Sequence, residues 1–291
     1  MSWQFDMPDT GPYRDRVRRA AFARVKAIYQ AVRPKPAQQK VAFIVGCQRS
    51  GTTMLSRVFE RDLNVRVYGE RSELTTQDNQ HNIRLNDLDA VRDTVSSVKA
   101  PLVVLKPLVE SQRVPQLLAE FPGSVAIWIY RDFKDVAFSN RNRFGAHNGI
   151  EDIRPIACMD SGDWRSEHAS EEVRVLISRF FSDDMNPYDA AVLFWLARNA
   201  LFFELGLDGR ADVVLCKYED LVAEPEKICA GIYNALSIPF SHKLTKGIHA
   251  KSVERGKTIT ISDEIESLAC GMMHRLDRAY GERSGRREIA S

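Results

Sequence analysis

The chain has 291 residues, 44% apolar and 27% charged. That is the composition of a globular protein with a core of useful size, in one large or two small domains. A net charge of +2 is too mild for nucleic acid to be the main partner. No run of 18 apolar residues is present and no signal-peptide core follows Met1, which excludes a spanning helix but not attachment to a membrane surface. Five cysteines, at 47, 158, 216, 229 and 270, are scattered and odd in number. With no CxxC pair and no metal-like Cys/His spacing, they fit reduced thiols in a cytoplasmic protein, and no metal is expected.

Residues 1–36 read as a basic helical extension. Pro8, Gly11 and Pro12 mark a lead-in, and a helix is predicted from Tyr13 to Val32. Val17, Ala20, Ala21, Val25, Ile28 and Val32 lie near one face, while Arg14, Arg16, Arg18, Arg19, Arg24 and Lys26 make the helix basic. The expectation is a solvated helix docked by its apolar stripe; the alternative is peripheral contact with a membrane surface.

The next stretch, Val41 to Phe59, organises the chain. Val41 to Val45 are apolar, as in a strand buried on both faces. Gly46-Cys47-Gln48-Arg49-Ser50-Gly51-Thr52-Thr53 follows, and then Met54, Leu55, Val58 and Phe59 recur at helical spacing. Strand, glycine loop and helix together hold a phosphate: the glycines turn backbone N–H groups towards an anion and the helix N-terminus adds its dipole. The spacing from Gly46 to Gly51 nearly fits the nucleoside-triphosphate loop GxxxxGK[ST]. Thr52 stands where that motif has lysine, and the cation is Arg49, inside the loop.

Val65, Val67 and Tyr68 mark a second strand, with Glu70 just past its carboxyl end, where a parallel sheet lines its ligand crevice. Residues 75–99 read as loop then helix, with His81 in the loop. Pro101 to Leu105 is a third buried strand, followed at once by Lys106; a helix over 111–121 and the turn Pro122-Gly123 lead to a fourth, Val125 to Tyr130. Arg131 follows directly, Asp132 caps the next helix, and Ser139 lies about two helical turns on. Arg131 and Ser139 can meet on one anion, distinct from that at Gly51; the plainer reading pairs Arg131 with Asp132 or Asp135. Residues 144–186 read as an irregular insertion over the active site, a lid that helps choose the acceptor, with His147 and His168 solvated. A strong apolar helix spans Pro187 to Leu205, and a fifth strand, Val213 to Cys216, ends in Lys217-Tyr218-Glu219-Asp220-Leu221. A helix over 225–236, a basic glycine-broken segment over 247–258, a last helix from Ser262-Asp263 to about Tyr280 and a flexible tail over 283–291 complete the chain. The alternation predicts an α/β fold: one P-loop-like, three-layer domain over 37–282 with a central parallel five-stranded sheet flanked by helices.

QRSGTT at 48–53 resembles the 5′-phosphosulfate loop of the sulfotransferases, PKSGTT or PRSGTT. RDFKDVAFS at 131–139 is similar to that family's 3′-phosphate motif, R-D-x-x-D-V-x-x-S, and the YEDL ending at 218–221 also resembles it. The resemblance implies transfer of a sulfuryl group from 3′-phosphoadenosine 5′-phosphosulfate (PAPS) to an acceptor hydroxyl of a carbohydrate, peptide or natural product, leaving adenosine 3′,5′-bisphosphate. It implies that Gln48, Arg49, Ser50, Gly51, Thr52 and Thr53 hold the 5′ end and that Arg49 stabilises the leaving phosphate. Arg131 and Ser139 then take the 3′-phosphate, Tyr218 lies near the adenine, and Arg255 and Lys257, with Lys251 and Ser252, cover the 3′ end. Many family members use a histidine after the third strand; here the segment is Lys106-Pro107-Leu108-Val109-Glu110. Glu70 resembles the catalytic glutamate of protein-tyrosine sulfotransferases and is the expected base, with Glu110 second and Lys106 touching the transferring group. The structural alternative for Glu70 is an ion pair with Arg71 or Arg49. The competing functions are a P-loop kinase using Mg-ATP and a non-catalytic nucleotide-binding protein.

Overall fold

The computed structural model describes residues 13–77, 83–248 and 253–289. Helix α1 (Tyr13–Val32) precedes β1 (Lys40–Gly46), α2 (Thr52–Glu60) and β2 (Val65–Tyr68). A hairpin of β3 (Thr75–Gln77) and β4 (Ile83–Leu85) leads to α3 (Leu88–Ser97) and β5 (Leu102–Leu105). A 3-10 turn at Leu108–Arg113 runs into α4 (Val114–Glu120), β6 (Val125–Tyr130) and α5 (Phe133–Phe144). Then come α6 (Asn148–Ala157), α7 (Glu171–Phe180), α8 (Pro187–Glu204), β7 (Val213–Lys217), α9 (Tyr218–Ala223), α10 (Pro225–Ala235) and α11 (Asp263–Ile289).

Among the described residues, β2-β5-β1-β6-β7 form one parallel sheet. β1, β5, β6 and β7 are built on apolar runs because helices cover both faces, while the edge strand β2 carries Arg66. Alternation along β1 sorts the layers: Phe43 and Val45 join one core cluster with Phe194 and Leu201 of α8 and Leu276 of α11. Ala42 and Ile44 join the other, with Leu55 and Phe59 of α2 and Ile232 of α10. Each fully buried side chain of this size stabilises the fold by about 1.5–3 kcal/mol. The chain leaves β1 towards β2 and later crosses to β6 on its other side. The carboxyl ends of β1 and β6 therefore flank the crevice. Gly46, at φ +120°, closes β1 tightly on β6: a Cβ there would lie 2.5 Å from the Ile129 carbonyl oxygen.

Three segments differ from the sequence reading. Residues 75–77 and 83–85 pair as the β3–β4 hairpin instead of forming a loop; three-residue strands are too short to show a period. His81 lies outside the described residues. The segment 144–186 is not irregular but carries α6 and α7; Ile150, Ile153 and Ile156 recur at helical spacing, are buried, and pack α6 onto α8. His147, just before α6, and His168, between α6 and α7, are exposed. Helix α11 runs to Ile289, beyond Tyr280 and into the segment read as a tail.

Helix α1 spans the predicted residues but docks by the opposite face. Lys26 Nζ donates to the carbonyls of Phe59 (3.4 Å) and Glu60 (2.7 Å), in the last turn of α2, where carbonyls lack helical partners. Gln30 Nε2 donates to the carbonyls of Leu63 (3.0 Å) and Val65 (3.1 Å). An apolar stripe cannot supply donors to these carbonyls, so the polar side faces inward.

Candidate active site

The loop after β1 is held from below and turned by two left-handed residues. Ser111 Oγ accepts the Gly46 amide (3.0 Å) and donates to the Leu108 carbonyl (2.8 Å). Arg49 has φ +68° and Gly51 φ +98°. An arginine in that region is strained by its Cβ, a cost found where a site needs a side chain aimed in one direction. Ser50 Oγ is buried without a hydrogen-bond partner. Thr52 is buried at the head of α2, whose Met54 and Leu55 amides bond the Gly51 carbonyl at 2.9 and 3.2 Å.

Arg49 swings towards α5. Its Nε donates to Ser139 Oγ at 3.0 Å, and Arg131 Nη1 donates to the Arg49 carbonyl at 3.4 Å. The glycine loop and the Arg131–Ser139 pair, expected as separate places for an anion, are therefore bridged by Arg49. A cleft of about 230 Å³ opens here, lined by Arg49, Arg131, Arg143 and Arg255 around Ser139 and Phe138. Burial, followed by the charges of Arg143 and Arg131, pulls the Arg49 guanidinium below its usual range, against the charge of Glu70. Four guanidiniums, with the Asp135 carboxylate beside them, line one small cleft, an arrangement with the chemistry to hold a multiply charged anion.

Arg131 makes the pair of the plainer reading, with Asp135, its Nη2 donating to Oδ2 at 3.0 Å, and also lines the cleft. It stacks 4.4 Å from the centre of the Tyr218 ring. Tyr218 also lies against Gly51, where a Cβ would come within 2.2 Å of Tyr218 Cδ2. Tyr218 thus packs between the loop and Arg131, and is buried.

Asp135 fixes the C-terminal segment. Its Oδ1 accepts the Gly256 amide (2.7 Å) and its Oδ2 the Glu254 amide (2.8 Å). Gly256 sits so close to α5 that a Cβ would lie 2.2 Å from the Lys134 carbonyl carbon. This strap carries Arg255 into the cleft. The side chain of Lys257, and residues Lys251 and Ser252, lie outside the described set. The sequence reading missed Arg143 and gave Asp135 only as a pairing partner. Position 143 lies four residues after Ser139, on the same face of α5, and that spacing was the available signal.

Glu70, Lys106 and Thr53 meet at the ends of β2 and β5 and the head of α2. Lys106 Nζ lies 2.8 Å from Glu70 Oε1 and donates to Thr53 Oγ1 at 3.0 Å. The Glu70 carboxylate therefore pairs with Lys106, while its charge reaches Arg49. Gln48 faces elsewhere: its Nε2 donates to Asp152 Oδ2 (2.9 Å), which also accepts Asn148 Nδ2 (2.7 Å), while Asp152 Oδ1 accepts Arg165 Nε (3.0 Å). Burial raises the Asp152 carboxyl above its usual range in spite of Arg165.

Glu110, the second choice of base, is a structural carboxylate. It is fully buried and accepts Arg84 Nε (2.8 Å) and Nη2 (3.1 Å), the Leu85 amide (3.0 Å) and Arg113 Nη1 (3.1 Å). Burial would raise its carboxyl, but the Arg84 bonds and charge, the Leu85 amide and Arg113 outweigh it and hold it below the usual range. It pins the β3–β4 hairpin to the 108–113 turn.

No family model matches the chain, and no curated protein matches it. Among solved structures the chain is similar to the sulfotransferase domain from the Synechococcus PCC 7002 olefin synthase, at 16% identity and a TM-score of 0.46 over 84% of this chain and 98% of that one. It is also similar to the sulfotransferase domain from the curacin biosynthetic pathway, at 17% identity and a TM-score of 0.46 over 86% and 99% of the two chains. A sulfotransferase from Alicyclobacillus acidocaldarius matches at 15% identity and a TM-score of 0.47 over 84% and 97%.

Proposed function

We propose that the protein is a sulfotransferase that moves a sulfuryl group from PAPS to an acceptor hydroxyl. The observation that carries the reading is the Arg49–Ser139 bond, which joins the glycine loop to the four-arginine cleft. A ligand with phosphate at both ends of one ribose is what such a joined pair of anion sites suits. The residues fit that donor: Ser50 Oγ is a buried polar atom without a partner beside the loop amides, and the cleft is positive on several sides.

In this reading Arg131, Ser139, Arg143 and Arg255 bind the 3′-phosphate. The amides of Gly51 to Thr53 and the Thr53 hydroxyl face the 5′ end. The donor supplies an activated sulfuryl group. Arg49 acts electrostatically, since a guanidinium stays protonated at working pH. It neutralises the electron pair left on the bridging phosphate oxygen as the sulfur–oxygen bond there breaks and one to the acceptor oxygen forms. Glu70 takes the acceptor proton. Lys106 is shared between Glu70 and Thr53, so an anion at the loop draws its ammonium and leaves Glu70 Oε1 to the acceptor.

Thermal stability with adenosine 3′,5′-bisphosphate, 5′-AMP and Mg-ATP tests the reading. A ligand at 100 times its Kd adds about 2.7 kcal/mol. Selective stabilisation by the bisphosphate, lost in Arg131→Ala, is the expected result. Equal or greater stabilisation by Mg-ATP overturns it in favour of a kinase.

A further inference from the structure

Helix α1 presents the wrong face to water for an ordinary surface helix. Its polar side is turned inward, held by Lys26 and Gln30 and by Arg33, whose Nη1 donates to Asn64 Oδ1 at 2.9 Å. Its stripe of Val17, Ala21, Val25, Ile28 and Val32, spaced i, i+4, i+8, i+11 and i+15, is exposed. Val25 is 58%, Ile28 65% and Val32 77% accessible. Of the eight large exposed apolar residues among those described, six lie on α1, so the patch is local to this helix.

Charge selects what covers it. Residues 13–36 hold eight arginines and lysines against the single Asp15, in a chain whose total is only +2, so the remainder is net negative. A second copy laid along the same face would bring two strongly basic helices together, and they would repel. An anionic surface is attracted. The centre of the stripe is Val, Ala and Ile, not the Trp, Tyr and Arg anchors that dominate protein interfaces. The aromatic residues, Phe22 and Tyr29, fall on its flank, where aromatic rings sit at a lipid headgroup boundary. No described helix is long and apolar enough to cross a membrane, so the fitting mode is to lie in the interface. We propose that α1 seats the protein on an anionic lipid bilayer, its stripe at the acyl boundary and the exposed Arg24 and Lys35 towards the headgroups. The proposal is independent of the sulfotransferase reading.

The test is flotation of the full chain with phosphatidylcholine vesicles, with and without phosphatidylglycerol, over a salt series. Binding is expected only with phosphatidylglycerol and weakens as salt rises. Ile28→Asp lowers it by roughly tenfold or more, and Arg24→Glu weakens the preference for anionic lipid. Both side chains are exposed, so helicity and thermal midpoint stay at the wild-type values. Absence of binding to anionic vesicles, or equal binding by wild type and Ile28→Asp, overturns the proposal. A dimer in light scattering that Ile28→Asp dissociates overturns it in favour of self-association.

Discussion

Asp135 holds Gly256 across 121 positions of sequence: its Oδ1 accepts the Gly256 amide at 2.7 Å. The same carboxylate holds the Glu254 amide and Arg131, so one buried side chain aligns both a strand-end arginine and the strap that carries Arg255. In Asp135→Asn an amide NH2 replaces one acceptor and faces donors. The expected loss of stability is about 1.5–3 kcal/mol, the worth of a hydrogen bond to a charged group. Calorimetric titration separates the roles: affinity for adenosine 3′,5′-bisphosphate falls roughly tenfold or more, while 5′-AMP changes little. Equal losses for both ligands would leave Asp135 with a general role in stability only.

Gly256→Ala attacks the same strap from the other side. The added Cβ meets backbone of Lys134, which cannot step aside as a flexible side chain would. The strap must lift, at a cost of about 1–3 kcal/mol. Hydrogen exchange should speed up at the Glu254 and Gly256 amides and stay slow in β1 and β6. Unchanged protection at those two amides would contradict the packing described.

The two glutamates past the second and third strands of the crevice should separate cleanly. Glu70→Gln keeps bisphosphate affinity and the fold but lowers the transfer rate by about 10²–10⁴-fold, the usual worth of a positioned base. Glu110→Gln leaves Arg84 and Arg113 facing a neutral group in a buried site and costs about 3–5 kcal/mol. Rates of the folded fraction distinguish them: a Glu70→Gln enzyme as fast as wild type removes Glu70 from the chemistry.

Acid stability follows from the same carboxylate. Glu110 is held below its ordinary range, so the folded state binds its proton less readily than the unfolded chain. Its contribution is full above the unfolded value near 4.5 and is lost as pH falls through the folded value. The urea midpoint should therefore drop below about pH 4.5, and less steeply in Glu110→Gln. A parallel pH profile in that variant would mean that other carboxylates dominate.

Buried thiols act at the alkaline end. Burial pushes Cys47 and Cys229 up to about 12, and raises Cys216 as well, from 9.0. These groups keep their protons when folded but lose them when unfolded above pH 9, so stability falls as pH rises past that point, by up to about 1.4 kcal/mol per pH unit for each thiol. At pH 8 a thiol reagent should modify the exposed Cys158 readily and these three only after denaturation. Rapid modification of Cys47 in the folded protein would contradict its burial.

The parallel sheet was legible because four of its strands are built on apolar runs and the fifth, with Val65, Val67 and Tyr68, is apolar around a single arginine, and the residues just past each strand fall by topology at the crevice. Glu70, Lys106 and Arg131 were found that way. The β3–β4 hairpin was not, because two three-residue strands carry no periodic signal. Segment 144–186 misled because Gly, Asp and Ser crowd the turns around α6 and α7 and mask Ile150, Ile153 and Ile156. The docking of α1 by its polar side was hidden because the need it meets, donors for the Phe59, Glu60, Leu63 and Val65 carbonyls, belongs to another element. Arg49 reaching Ser139 was hidden for a related reason: a left-handed backbone angle at a non-glycine residue sets the direction, and residue type does not announce it.

The layering of Gly51, Tyr218 and Arg131 has a consequence for descent. Three separate strand–helix units contribute one residue each to a single stack, with no space for a side chain at 51 and a guanidinium resting on the ring at 218. A drift at any one of them exposes a gap or a collision at the next. Across a lineage these positions should be inherited and lost together, as one heritable character spread over 168 positions of chain.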